Sequence, residues 1–418
     1  MRSLQATLLA GLALLVSSWC YQPQPKADKD DALNELQNQV NEMLPGILSL
    51  TGIQEREPVK TALLTRTELG RFFETNLKVE YPNEELKKRG RCFALIGLLP
   101  QGYDLENGFM TLLKEQAGAV YDPRSKTLIG LSDLPSEQRR NVNDRMILSH
   151  ELTHALQNRV IDIVEESETA LKNIDYEYAL RAVLEGMASS VMIAHAQNLS
   201  LGNLPDLQVF WRSQLSRAGG TLGGTPPYVT EYLMSPYAEG GAFIQAWQKG
   251  NPDKTMNDLL KRIPASSEQV LHFEKYAGGD EPTDFDLSRM HKTLPGHWKL
   301  FYANTLGEFE LLELFQIHKE TETNAPALAA GWDGCKFEAY EEKNGDLILL
   351  GSSVWDSEED AEEFRDGFIK VLAESRPNGD YEVVRTKARV SFLIGPADES
   401  LRTAILESEC QGDTEEQE

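Results

Sequence analysis

The sequence is poor in several residue types, and each shortage closes off a class of function. Four cysteines in 418 residues, at positions 20, 92, 335 and 410, are too few for a disulfide framework. Their number is compatible with one Cys335–Cys410 bridge and equally with unpaired thiols. Positive charge is also short, with 41 Lys and Arg against 66 Asp and Glu for a net charge of −25. So acidic a chain lacks the phosphate-neutralising charge that a nucleic-acid partner or an anionic membrane surface requires. Beyond the first twenty residues there is no long uncharged apolar run, so no membrane span is expected. Those first residues, 1–20, read as an export signal: Arg2, then the apolar run Leu8 to Val16, then Ser17-Ser18-Trp19-Cys20. Cys20 stands where a bacterial lipoprotein carries its lipid. Lipid attachment there and simple cleavage near Ser18 both remain open. The protein is therefore expected outside the cytoplasm, in a bacterial periplasm or envelope or secreted, and meets a membrane only through a lipid on Cys20. Histidine is scarce as well, with seven in the whole chain, which makes its placement informative.

The organisation is α+β. Residues 21–55 read as a polar tether followed by a helix from Asp31 to Leu44, ended by Pro45-Gly46. Helices are expected from Thr65 to about Leu77, from Asn83 to Lys88 and from Leu105 to Gln116, so the N-terminal third reads as mainly helical. Two short apolar stretches around Asp122-Pro123-Arg124-Ser125 predict a β-hairpin. It either exposes a strand for an extended peptide or simply covers the helix that follows. The glycine-rich segment Gly219 to Pro227 lacks the strand-loop-helix setting and Lys-Ser/Thr ending of a phosphate loop, which excludes nucleotide binding on that motif. Gly, Asp, Pro and Thr in quick succession place a boundary at Gly278 to Asp286. Beyond it, 286–406 reads as a smaller α+β domain, with a helix from Thr305 to His318, strands at 336–340, 346–355, 381–386 and 388–394, a helix capped by Asp356, and a last one from Ser400 to Leu406. The tail 407–418 is acidic and reads as disordered.

The chemistry lies in His150-Glu151-Leu152-Thr153-His154, within a stretch free of Gly and Pro from Ser136 to Val160. Histidines at i and i+4 stand one above the other on a helix, so both imidazoles reach one metal ion, with the intervening glutamate beside it. Such a site needs a third protein ligand and an open position for water. Gln157 and Val160 occupy the places of the Gly and His in the long histidine-rich variant of the motif, so the ligand must come from elsewhere. Glu185 is the candidate, because it interrupts the apolar helix Tyr178 to Gln197, where an unpaired carboxylate is costly and metal coordination removes the difficulty. The alternative is a buried salt bridge to Arg145 or Arg181. Glu151 is then the general base that takes a proton from a metal-bound water and passes it to the leaving amine. His272 and Tyr237, each at a loop-to-helix junction, are candidate donors to the oxyanion. His195, ten residues past Glu185, reads as structural, and His291, His297 and His318 have no site-like spacing.

The motif His150-Glu151-x-x-His154 followed by Glu185-Gly186-x-Ala188 resembles the zincin metallopeptidases in their gluzincin arrangement. The stretches around Tyr121-Asp122-Pro123, His150 to Gln157, Leu184 to Ala188, Pro236-Tyr237 to Phe243 and Glu268 to His272 are more closely similar to a group of uncharacterised secreted or lipid-anchored bacterial zinc metallopeptidases. The resemblance covers roughly Arg56 to Tyr276. It implies a zincin-like metallopeptidase domain over 56–285, mainly helical with a small sheet, one Zn2+ per chain, and a peptide or protein substrate. Two positions depart from the pattern. Ser189 stands where many gluzincins carry an Asp that orients a zinc histidine, and Met187 where the closer group often has Asp, so no orienting partner is legible. A catalytically inactive zincin-like module that binds a peptide or envelope protein, and a zinc hydrolase acting on another amide or ester, are the alternative functions.

Overall fold

The computed structural model describes residues 29–54, 57–116, 118–133, 142–218, 224–399, 401–403 and 405. The export signal, Cys20, the tether before 29, Cys410 and the acidic tail lie outside them, as do parts of the 219–227 loop and of the expected last helix. Among the described residues no helix is long and apolar enough to cross a membrane.

The chain starts with helix α1 (Lys29–Thr51), then β1 (Lys60–Leu64), α2 (Arg66–Glu80), α3 (Glu85–Ile96), α4 (Leu105–Gln116), the hairpin β2 (Ala119–Asp122) and β3 (Thr127–Leu131), and α5 (Val142–Gln157). It continues through α6 (Ile163–Ala170), α7 (Ile174–Gln197), α8 (Leu207–Ala218), α9 (Pro227–Gly250) and the short helices α10 (Met256–Leu259), α11 (Ser267–Leu271), α12 (Phe273–Gly278) and α13 (Ser288–Lys292). The C-terminal part holds β4 (Lys299–Thr305), α14 (Glu308–Gln316), α15 (Ala325–Ala329), β5 (Trp332–Glu341), β6 (Leu347–Trp355), α16 (Glu358–Ser375), β7 (Tyr381–Thr386) and β8 (Arg389–Ile394).

Helix α1 does not stop at Pro45-Gly46. Its last two turns bury Ile47 and Thr51, and Gly46 gives the room for His195 of α7, which would stand 3.1 Å from a Cβ there. Tertiary packing overrides the breaker pair. The N-terminal third is also less purely helical than its pattern suggests. Strand β1 pairs in parallel with β3, Lys60 opposite Thr127, to make a three-stranded sheet in the order β1-β3-β2. Its partner lies more than sixty residues away, which no local pattern reveals. The hairpin forms as expected, Ala119 opposite Gly130, but every residue of β2 is buried, so it offers no exposed strand.

Helices α7 and α9 cross closely. A Cβ on Gly240 would lie 1.9 Å from the Ala182 carbonyl oxygen, and one on Gly186 would lie 2.2 Å from the backbone of Gly240. Gly186 therefore serves contact with α9. Helix α9 runs unbroken through Pro236, which puts Tyr237 in mid-helix and not at a junction. The proline removes one N–H from the ladder, and burial of Tyr232, Leu233, Tyr237 and Ala238 around it holds the helix together.

The C-terminal part is a five-stranded antiparallel sheet in the order β4-β5-β6-β8-β7. Strand β4 takes residues 299–305 that the helical reading began to claim at Thr305, and Ser357, not Asp356, caps α16 through the Asp360 N–H. The sheet is covered on both faces, because Phe337, Ala339 and Leu349 join one apolar cluster while Tyr340, Ile348 and Leu350 join another. The first cluster extends back to Ala32 on α1, so the expected boundary near Gly278 to Asp286 is not an apolar one. Cys92 and Cys335 are buried free thiols.

Candidate metal centre

Helices α5 and α7 place three side chains against one another. His150 and His154 share a face of α5, and Glu185 comes from the middle of α7, where residues 177–194 are all buried. His150 Nε2 lies 3.0 Å from His154 Nε2 and 3.0 Å from Glu185 Oε2, and His154 Nε2 lies 3.7 Å from the same oxygen. All three residues are at most 1% exposed. Four-coordinate zinc with ligands about 2.0–2.2 Å away has ligand-to-ligand edges of about 3.3 Å. The triangle of 3.0, 3.0 and 3.7 Å brackets that value, so the donor set fits a single ion. This is the one group of three or more His, Cys, Asp and Glu among the described residues arranged to hold a metal ion. Neither salt-bridge alternative for Glu185 is formed. Arg145 pairs with Glu42 at 3.1 Å, and Arg181 makes no ion pair with Glu185.

Burial and mutual contact set the protonation of the three side chains. Burial lowers His150 below the usual imidazole range against its hydrogen bond to Glu185. Burial also opposes the charged form of His154, but the Glu185 carboxylate overrides it and raises this histidine. The reciprocal effect of His154, working against burial, holds the Glu185 carboxyl down at about 2.

The remaining nitrogen of His154, Nδ1, lies 2.7 Å from Gln157 Oε1, and Gln157 Nε2 donates to the Leu184 carbonyl at 2.9 Å. An amide oxygen can only accept, so it fixes the proton on Nδ1 and leaves the Nε2 lone pair facing the other ligands. One fully buried glutamine thereby ties the metal helix to the residue before Glu185. Sequence reasoning missed this partner because it sought a carboxylate after Glu185, while the orienting group stands three residues after His154.

Glu151 stands beside the triad with its carboxyl fully buried. Its Oε2 accepts the Tyr121 backbone N–H at 2.7 Å, and its Oε1 has no partner. That N–H belongs to the edge strand β2, so the strand serves to hold the glutamate. Burial pushes the Glu151 carboxyl up to about 8 in the absence of a cation. Tyr237 comes to the site from α9, its ring stacked on His150 at 5.8 Å and its hydroxyl hydrogen-bonded to Glu185. Burial, reinforced by the Glu185 charge, raises its phenol well above the ordinary value, so it remains a neutral donor.

His272 is not at this site. It sits between α11 and α12, and its Nε2 meets Glu308 Oε1 at 2.8 Å. The neighbouring Ser267 N–H donates to Asp175 in the first turn of α7, ten residues and about 15 Å of helix from Glu185. The four remaining histidines are engaged elsewhere: His195 against Gly46, His291 with Glu338, His297 with Glu342 and His318 with the Gly97 carbonyl.

A family described as a domain of unknown function, DUF8575, matches residues 299–404, the span of the five-stranded sheet and its helices. No curated protein and no solved structure matches the chain.

Proposed function

We propose that this protein is an exported zinc-dependent metallopeptidase of the zincin type, hydrolysing peptide bonds in a peptide or protein substrate. The observation that carries this reading is the convergence of His150 Nε2, His154 Nε2 and Glu185 Oε2 on one point, with the unpartnered Oε1 of Glu151 beside it. A zinc ion held by the three ligands supplies a Lewis acid and lowers the pKa of a bound water. Glu151 is held by Tyr121 through Oε2, which leaves Oε1 to take a proton from the attacking water as its oxygen joins the carbonyl carbon. The same carboxyl then hands that proton to the departing amine as the C–N bond breaks. Glu151, whose carboxyl burial pushes up to about 8 without a cation, would be lowered toward the range of a base at neutral pH by a positive charge held at the three ligands. Tyr237, neutral and beside His150, would steady the oxyanion by turning its hydroxyl from Glu185 toward it. Gln157 holds His154 in the tautomer that ligation needs.

One observation favours a second reading, a zincin-like module that binds a partner without cleaving it: the three ligands, Glu151 and Tyr237 are all sealed from solvent. Turnover separates the two. Zinc-loaded wild-type protein is expected to cleave unfolded casein, and Glu151→Gln to retain zinc while losing activity by about 100-fold or more, the scale of general acid–base catalysis. Equal cleavage by both proteins, or none by either, rejects the peptidase.

A further inference from the structure

Two cations are buried among the described residues, Arg89 and Arg181. Arg89 is answered by Glu177 at 2.8 Å and Glu85 at 3.6 Å. Arg181 is not. Only 3% exposed, its guanidinium lies over the face of Tyr232, 4.7 Å from the ring centroid. It forms no hydrogen bond or ion pair among the described residues, and its Nε is sealed without a partner. A ring face offsets only part of the desolvation of a cation, whereas a bidentate carboxylate satisfies both its charge and its donors.

Its position gives that vacancy a use. Arg181 and Glu185 are i and i+4 on one face of α7, and the Arg181 charge acts on both Glu185 and Tyr237. Tyr232, which carries the guanidinium, precedes Tyr237 by five residues on α9, about 7.5 Å along the axis. One or two residues of extended peptide cover that distance. We propose that Arg181 binds a carboxylate on the leaving side of the scissile bond, which makes peptides with an anionic group one or two residues beyond the cut the preferred substrates. The carboxylate comes from the peptide C-terminus or from an Asp or Glu side chain. This inference rests on the peptidase reading and narrows its substrate class.

The test uses the zinc-loaded full chain and three N-acylated peptides: one ending in a free carboxylate, its C-terminal amide, and an amide with Glu next after the scissile bond. The wild type is expected to show kcat/KM at least about 100-fold higher for a carboxylate-bearing peptide than for the plain amide, the scale of a buried charge pair. The first peptide winning alone identifies the C-terminus, and the third winning alone identifies a side chain. In Arg181→Gln that preference collapses toward unity while zinc content stays at the wild-type level, and Arg181→Lys, which keeps the charge if Gln impairs folding, restores part of it. Equal turnover of all three peptides by the wild type, or a preference that survives Arg181→Gln, overturns the proposal. Calorimetry of the same peptides on Glu151→Gln protein gives a readout free of turnover. Absence of cleavage with carboxylate-selective binding rejects the peptidase and leaves the Arg181 site standing, and absence of selective binding rejects the site.

Discussion

Gln157 shows what a single residue does at this centre and why its role was hidden. Its two amide atoms face opposite tasks, Oε1 toward His154 and Nε2 toward the Leu184 carbonyl, and neither task is written in the spacing of charged residues. His150, Glu151 and His154 were legible because a helix of period 3.6 fixes where i and i+4 point. Glu185 was legible because a carboxylate inside an apolar helix needs a reason to be there. Tyr237 and His272 carried the same sequence signal, yet only Tyr237 reaches the triad, and it does so from the middle of α9 and not from a junction, because sequence does not show against which part of α7 a segment packs. Replacing Gln157 by Leu removes the acceptor for His154 Nδ1 and leaves the Leu184 carbonyl with its helical partner alone. Zinc affinity, measured by competition with a chelator, is expected to fall about 10–100-fold, the range for partners of zinc-ligating histidines. Gln157→Glu keeps an acceptor on Nδ1 and is expected to lose less. Unchanged affinity in Gln157→Leu would show that packing alone orients His154.

At the level of elements, the candidate metal centre depends on how tightly α7 and α9 approach. Glu185 and Gly186 are adjacent, so the residue that lets α9 come close stands beside the carboxylate that faces the α5 histidines. A methyl on Gly240 would collide with the Ala182 carbonyl, which is rigid helix backbone with no room to yield. Gly240→Ala is expected to destabilise the fold by about 3 kcal/mol or more in denaturant unfolding, at the upper end for overpacking. Gly202→Ala, with nothing within 4 Å, should change stability by no more than about 0.5 kcal/mol. Similar small effects from both would mean that the crossing is loose. Elements were read well where the signal is local. The extent of α4, the hairpin of β2 and β3, and strand β7 match their patterns. Reading failed where distant packing decides. Helix α1 continues past Pro45 because α7 lies against it, α9 continues through Pro236 for a similar reason, and β1 is a strand because β3 is there to pair with it.

Across the whole molecule, the C-terminal sheet is joined to the helices of the candidate metal centre by more than apolar packing. Asn304 Oδ1 accepts the Ile174 N–H at the start of α7, Asp175 accepts the Ser267 N–H, and Ser267 Oγ accepts the Phe309 N–H. A polar seam of this kind is invisible in a sequence whose composition turns to Gly, Pro and Asp near 280. Asp175 makes the seam sensitive to pH. Burial pushes its carboxyl up from 3.8 to about 7, so between those values the folded chain keeps a proton that the unfolded chain releases. Its contribution to stability is complete below pH 4 and is lost as pH rises to about 7. Asp175→Asn keeps the acceptor for Ser267 and removes the titration. The stability of this variant relative to wild type, from urea unfolding, should therefore climb from pH 4 to pH 7 and level off above. A difference independent of pH would contradict the assignment.

The central claim, that α5 and α7 together form one zinc site, is tested most directly by metal analysis of purified wild-type and Glu185→Ala protein after dialysis against trace zinc. One zinc per wild-type chain, with most of it lost from a folded Glu185→Ala variant, is the predicted result. Wild-type zinc content in Glu185→Ala, or no zinc in either protein, would contradict it.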